Sequence, residues 1–238
     1  MSIMVHLIRH AESEANVGLS SSSPDLIPLT EKGVLQAKQV SDSVTFVPDL
    51  IVVSPFLRAK QTAAPLIERF PSASVQSWAV QEFTYLSETR CGHSTPEERK
   101  PLVDEYWRQG DPDYCDGGNS ESFRTFISRV RETLRKLERS PQKIIAVVSH
   151  GQFIRAGLWL ILTGRNEINQ SALREYHAFL QAVPLPNTAR FSIWLNENQT
   201  FLSSISAAHL ELADMEVDSV RRKPFKRKAE KGRGVIDR

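Results

Sequence analysis

Four places in the 238-residue chain end an apolar run on a residue able to bind an anion, attack phosphorus or move a proton. "LIRHAESEAN" (7–16) sets Arg9 and His10 side by side, and "SPFLR" (54–58) puts Arg58 in the first turn of an expected helix. Glu82 stands just past "SVQSWAV" (74–80), and "KIIAVVSHG" (143–151) closes on Ser149, His150 and Gly151. Two guanidinium groups in one pocket call for an anion, and their planar forks suit phosphate better than lysine would. Guanidinium charge disfavours imidazolium, so His10 should stay neutral at pH 7 and keep a nucleophilic nitrogen. A carboxylic acid can protonate a departing alkoxide and later deprotonate water. Each group alone has a plainer explanation. An Arg-His pair often decorates a loop, a Ser-His-Gly often only starts a helix, and one glutamate means nothing. Brought together, they describe phosphoryl transfer through a phosphohistidine.

What must bring them together is a sheet. "SIMVHLI" (2–8) and "DLIVVSP" (49–55) are β-rich, mostly apolar runs that read as buried strands, and "SVQSWAV" and "KIIAVVSHG" read as two further strands. Helical patterns lie between them. "LTEKGVLQAKQVSDSV" has Thr30 as N-cap and Val34, Ala37, Val40 and Val44 on one face. "FLRAKQTAAPLIERF" should be kinked or split by Pro65. "SFRTFISRVRETLRKLERS" carries Phe123, Ile127, Val130, Leu134 and Leu137 on an amphipathic face. "QFIRAGLWLILTG" reads as a buried helix, and a further helix spans roughly 167–183. Residues 83–119 form an aromatic-rich insert, where "TPEE" has the Thr95/Glu98 capping-box pattern with Pro96 first and Pro101 restarting the helix. "ARFSIWLN" and "QTFLSSIS" predict a terminal hairpin. Strands alternating with helices imply an α/β three-layer sandwich, its mostly parallel central sheet covered by helices on both faces. Ligands of such sheets bind outside the carboxyl ends of the strands. All four chemical segments fall at those ends.

"LIRHAESEAN", "SPFLRAKQTA", "QEFTYL" and "VVSHGQFIR" resemble the signature segments of the histidine phosphatase superfamily, the phosphoglycerate-mutase-like fold, and "LTEKGVLQA" is similar to its usual second segment. The resemblance runs in the family's order from about residue 4 to 155. It implies that His10 is the nucleophile and that His150 stabilises the transferring phosphoryl group. Arg9 and Arg58 would clamp phosphate oxygens, with Asn16 and Gly151 adding hydrogen bonds. Glu82 would be the acid and then the base, and Tyr85 would reach toward the substrate. One departure is Ala11, where the namesake pattern has glycine; alanine resists positive φ, so the loop must take an ordinary backbone conformation there. No histidine is followed by aspartate, which places the chain outside the acid-phosphatase branch.

The same site serves a phosphatase or a cofactor-dependent phosphoglycerate mutase. The mutases resemble this chain less after the first motif, and they carry paired arginines in the insert, which here offers only separated Arg90, Arg99, Lys100 and Arg108. A small-molecule phosphate ester is therefore the expected partner and hydrolysis the expected outcome, with no cofactor and no metal. Phe83, Tyr85, Tyr106, Trp107 and Tyr114 are divided between pocket wall and glue for the insert. Other chemistries find no footing. There is no HExxH, P-loop or GxSxG motif, and the positions six after Cys91 and Cys115 hold Glu97 and Glu121 instead of the arginine of a cysteine phosphatase. Cys91, His93 and Cys115 match no common zinc spacing.

Composition is that of an ordinary soluble protein, with 40% hydrophobic and 24% charged residues. The net charge of +2 hides an asymmetry: residues 221–238 hold nine Lys and Arg against Glu230 and Asp237, which leaves −5 to the rest. The expected organisation is a domain over 1–207 followed by a basic, flexible tail over 208–238. A binding module that uses the tail to reach nucleic acid is the alternative from another class. Because every catalytic position is filled, nucleic acid is not the expected partner; a homodimer is compatible with the sequence. Two cysteines make no disulfide framework, and "AGLWLILTG" falls far short of the roughly 20 residues a membrane span needs. The expected location is the cytoplasm.

Overall fold

Side-chain alternation along three apolar strands decides the layers. In the computed structural model, which describes residues 2–21, 23–196, 199–207 and 209, these strands are β1 (Ile3–Arg9), β2 (Leu50–Val53) and β4 (Ile144–Ser149). Ile3, Val5, Leu7, Leu50, Val52, Ile145 and Val147 point to one face, and Ile8, Ile51, Val53, Ala146 and Val148 to the other. Both faces are buried, as continuous apolar parallel strands require. The second face takes α1 (Glu31–Asp42) and α2 (Leu57–Arg69), packed through Val40, Ala59, Ala63 and Leu66. The first takes α5 (Phe123–Glu138), α6 (Gly151–Thr163) and α7 (Gln170–Ala182) around fully buried Phe123, Phe126, Trp159 and Tyr176. Burying each such aromatic contributes about 2–3 kcal/mol from area alone.

The sheet has the order β3-β2-β4-β1-β5-β6, with β3 at Ser74–Ser77, β5 at Arg190–Leu195 and β6 at Thr200–Leu202. The first four strands are parallel; β5 runs antiparallel to β1, and β6 to β5, which is the expected hairpin. Residues 197–198 at its tip lie outside the described residues. Register is what matters for chemistry. Arg9 pairs with Ser149 and Val53 with Val148, so the residues that follow, His10, Ser54 and His150, leave the sheet side by side.

The insert holds α3 (Glu88–Cys91) and α4 (Pro96–Gln109), the latter opened by the expected Thr95/Glu98 capping box. Four details differ from the sequence expectation. Of the two outcomes expected at Pro65 a split is excluded, since α2 runs on through it, and α4 runs through Pro101 without restarting. Each removes one N–H, but the carbonyls that lose a donor, on Gln61 and Glu97, belong to residues that are not buried, where solvent can replace the bond. Val34 is 56% exposed, because the inward stripe of α1 begins at Gly33. A Cβ on Gly33 would stand 1.9 Å from the Glu12 carbonyl oxygen, so glycine alone lets the loop behind His10 lie against this helix. Finally, β3 is a short exposed edge strand that stops at Ser77, beyond which Trp78 and Val80 turn into the core. The proposed tail lies outside the described residues apart from His209. Among the described residues, no helix is long and apolar enough to cross a membrane.

Candidate active site

His10 follows the last residue of β1 and is only 3% exposed. Its Nδ1 lies 2.7 Å from the Ala11 carbonyl, an oxygen that can only accept, so Nδ1 carries the proton. Nε2 then holds a lone pair and accepts a 3.3 Å hydrogen bond from Arg58 Nε. Burial, then Arg58, then Arg9 hold the imidazole well below its ordinary pKa, and the Ala11 carbonyl opposes this only in part. The neutral imidazole expected at position 10 is therefore favoured first by desolvation and then by the arginines.

His150 is fully buried at the head of α6, its ring centre 5.0 Å from that of His10. Nε2 lies 2.7 Å from Ser54 Oγ. Burial, then Arg58 and His10, likewise press this imidazole toward the neutral form. Arg58 donates from Nη1 to the Pro24 carbonyl at 2.6 Å. Its pKa is brought down to about 10 by burial, although Glu82 pulls it back up. Arg9 donates to the Leu185 carbonyl, while its Nε is buried with no hydrogen-bond partner among the described residues. Both clamps thus face the site with donors to spare. Ala11 sits at an ordinary φ, as expected, and its methyl packs against Leu29 and Ala37.

A helix N-terminus is a ready anion site. At the head of α6 the group held is Glu82: Gln152 and Phe153 donate to its Oε1 at 2.9 and 3.3 Å, while at the head of α2 the Leu57 amide goes to the Asp25 carbonyl. The positive end of α6 therefore fixes the carboxylate through Oε1. Gly151 provides room: a Cβ there would sit 3.4 Å from Arg9 Nε and from Arg155 Nη2. Asn16 commits its Oδ1 to the Ser13 amide and to Asn187 Nδ2, both at 3.1 Å, so only its Nδ2 is available to a ligand.

Arg58, Glu82 and Tyr85 share a cavity of about 310 Å³ with Phe56, Leu86 and Arg99. The insert roofs it. Tyr106 is buried in the core, whereas Tyr85 and the buried Phe83 both line the cavity, with burial pushing the Tyr85 phenol up to about 12. A larger cleft of about 660 Å³ shares Tyr85 and Gln152 with this cavity and is lined by Trp107, Arg155 and His177, but reaches neither Arg58 nor Glu82. The smaller cavity is the one at the chemistry.

Sequence reasoning missed four supports. Ser54 meets His150; Thr62 accepts from the Ala11 amide at 3.0 Å and donates to the Arg58 carbonyl; Arg155 donates to the Gly151 carbonyl at 2.9 Å; and Asn187 donates to the His10 carbonyl at 3.0 Å. The first three stand inside the motif segments and could have been suspected as polar residues in apolar company. Asn187 sits in a loop with no signal, and matters only because β5 pairs with β1.

Comparison with known proteins meets this geometry at the point it had reached, a pocket able to pass a phosphoryl group to an imidazole. Residues 5–182 match the family model of the histidine phosphatase superfamily (branch 1), and the chain belongs to that family. It is 30% identical over 171 residues to a protein of Bacillus subtilis (strain 168) named uncharacterized phosphatase PhoE, covering 71% of this chain and 82% of that one. It is also 30% identical over 156 residues to the adenosylcobalamin/alpha-ribazole phosphatase of Salmonella typhimurium (strain LT2), 60% of this chain and 72% of that one. The fold superposes on a phosphoserine phosphatase from Entamoeba histolytica with a TM-score of 0.64 at 22% identity, over 87% of this chain and 99% of that chain. The α/β sandwich expected from the strand pattern is the fold of these phosphatases, and the chain is a histidine phosphatase, a phosphoric monoester hydrolase.

Proposed function

We propose that this chain hydrolyses small-molecule phosphate monoesters with His10 Nε2 as the nucleophile. Arg9, Arg58, His150, Asn16 Nδ2 and the Gly151 amide hold the phosphate oxygens. His10 Nε2 forms the P–N bond as the ester P–O bond breaks, and Glu82 gives its proton to the leaving oxygen. Water then attacks phosphorus, Glu82 takes the water's proton, and the P–N bond returns its electrons to His10. The observation that carries this reading is the hydrogen-bond pattern of His10: Nδ1 is spent on Ala11, and Nε2 keeps its lone pair beside the Arg58 guanidinium.

The insert supports hydrolysis over mutase chemistry. Arg90 is paired with Asp116 and Glu105, Lys100 with Asp104 at 2.9 Å, and Arg108 lines the other cleft. Arg99 is the one insert cation lining the cavity, so a paired-arginine grip on a carboxylate is not built here. The mixed apolar lining of Phe56, Phe83, Leu86 and Val103 suits an ester with a modest organic body. Both cysteines are free, which supports a reducing compartment and the cytoplasm as the place of action.

Steady-state hydrolysis of p-nitrophenyl phosphate from pH 5 to 8, with rapid quenching to trap an acid-labile, alkali-stable phosphoenzyme, tests this directly. Turnover and a phosphoenzyme that both vanish in His10→Ala are expected. A phosphoenzyme that persists in His10→Ala would remove His10 from the reaction.

A further inference from the structure

We infer that Ser54 fixes the proton of His150 on Nδ1 and so makes that nitrogen the donor to the transferring phosphoryl group. The inference rests on the reading of His150 as a phosphate ligand and adds the residue that acts through it.

Ser54 follows β2, is fully buried, and is held in register by its own amide, which donates to the Val148 carbonyl at 3.1 Å. Its Oγ accepts the Phe56 N–H at 3.3 Å and lies 2.7 Å from His150 Nε2. A serine hydroxyl has a single proton. Among the described residues, Nε2 is the only acceptor bonded to this oxygen, so the proton goes there. A neutral imidazole that accepts at Nε2 must carry its hydrogen on Nδ1. Burial and the neighbouring Arg58 keep the ring neutral.

The second observation is independent of the first. His150 Nδ1 is buried with no hydrogen-bond partner among the described residues, an unmet bond that a ligand oxygen would complete. With Nε2 taken by Ser54, Nδ1 is the nitrogen left to meet a phosphate oxygen. The two histidines are thereby set in complementary states around one phosphoryl group. His10 offers a lone pair from Nε2, and His150 offers an N–H from Nδ1. With Ser54 removed, the His150 proton is free to move to Nε2, and a lone pair would then oppose the phosphate oxygens.

The test is long-range 15N–1H correlation NMR of full-length, histidine-labelled protein at pH 7, with His150 assigned by its loss in His150→Gln, alongside turnover of p-nitrophenyl phosphate. The wild type should show His150 as the Nδ1–H tautomer, and its Nδ1 should shift on adding inorganic phosphate. Ser54→Ala should disturb the tautomer and lower kcat/KM by about 10- to 100-fold, and Ser54→Thr, which keeps the hydroxyl, should restore both. An Nε2–H tautomer in the wild type, or Ser54→Ala with Nδ1–H and turnover intact, would overturn the inference; the wild-type spectrum decides even where Ser54→Ala does not fold. Undiminished turnover in His150→Gln would instead remove His150 from the phosphate, a failure of the underlying reading.

Discussion

At the carboxyl edge of the sheet, nearly every functional atom is held by backbone: His10 by the Ala11 carbonyl, Arg9 by Leu185, Arg58 by Pro24, and Glu82 by the amides of Gln152 and Phe153. The insert above it is held by side chains gripping one another. Asp116 alone takes the Ser87 amide and hydroxyl, the Tyr114 phenol and the Arg90 guanidinium. Backbone partners survive almost any substitution nearby, whereas a side-chain network changes with each of its members. The floor is therefore built to keep one chemistry, and the roof to let the substrate change.

Substitutions in floor and roof should separate cleanly if this contrast holds. The largest effect belongs to His10→Ala, which should abolish turnover with the fold intact by circular dichroism; residual activity above a few per cent would break the nucleophile assignment. Next is Glu82→Gln, expected to slow alkyl phosphates by about 10²–10⁴ while aryl phosphates, whose phenolate needs little protonation, lose far less. Equal losses on both esters would take Glu82 out of the acid role.

Arg58→Ala should cost about 10²–10³ in kcat/KM and also move the pH profile. Burial and both arginines depress the His10 pKa, so the active neutral form is present above that lowered value and is lost only as pH falls through it. Removing one guanidinium raises the pKa toward its ordinary value, and the acid limb should move upward with it. An acid limb unmoved in Arg58→Ala would deny the coupling. The smallest effect should come from the roof. Arg99→Ala should change p-nitrophenyl phosphate turnover less than about threefold but raise KM roughly tenfold for an ester carrying a second anion, the worth of one hydrogen bond to a charged group. Uniform loss across esters would place Arg99 in the floor's chemistry instead.

Much of the floor was legible in the sequence because strand ends announce themselves. "LIRH" and "VVSH" each end an apolar run on a charged or titratable residue, and a parallel sheet brings such ends to one edge. The Thr30 and Thr95 caps were legible for the same local reason. What could not be read depends on distant partners. Val34 matched the helical stripe but lost its place to Gly33, which only the approach of Glu12 explains. At the N-terminus of α6 the amides of Gln152 and Phe153 go to Glu82, 70 residues away in sequence, a partner no local pattern shows. Pro101 carried a local rule of helix restarting that was overridden at exposed Glu97, where solvent can replace the lost donor.

The pairing of Arg9 with Ser149 bears on how this enzyme comes into being. β1 precedes the other strands of this sheet in the chain, yet its two neighbours are residues 144–149 and 190–195. The proposed nucleophile His10 therefore waits through the synthesis of the intervening chain, next to an apolar strand with both edges unpaired. Such long-range pairing folds slowly and exposes the nascent chain to aggregation. No active fragment should be obtainable by cutting before β5, and the enzyme is born inert until its sheet closes.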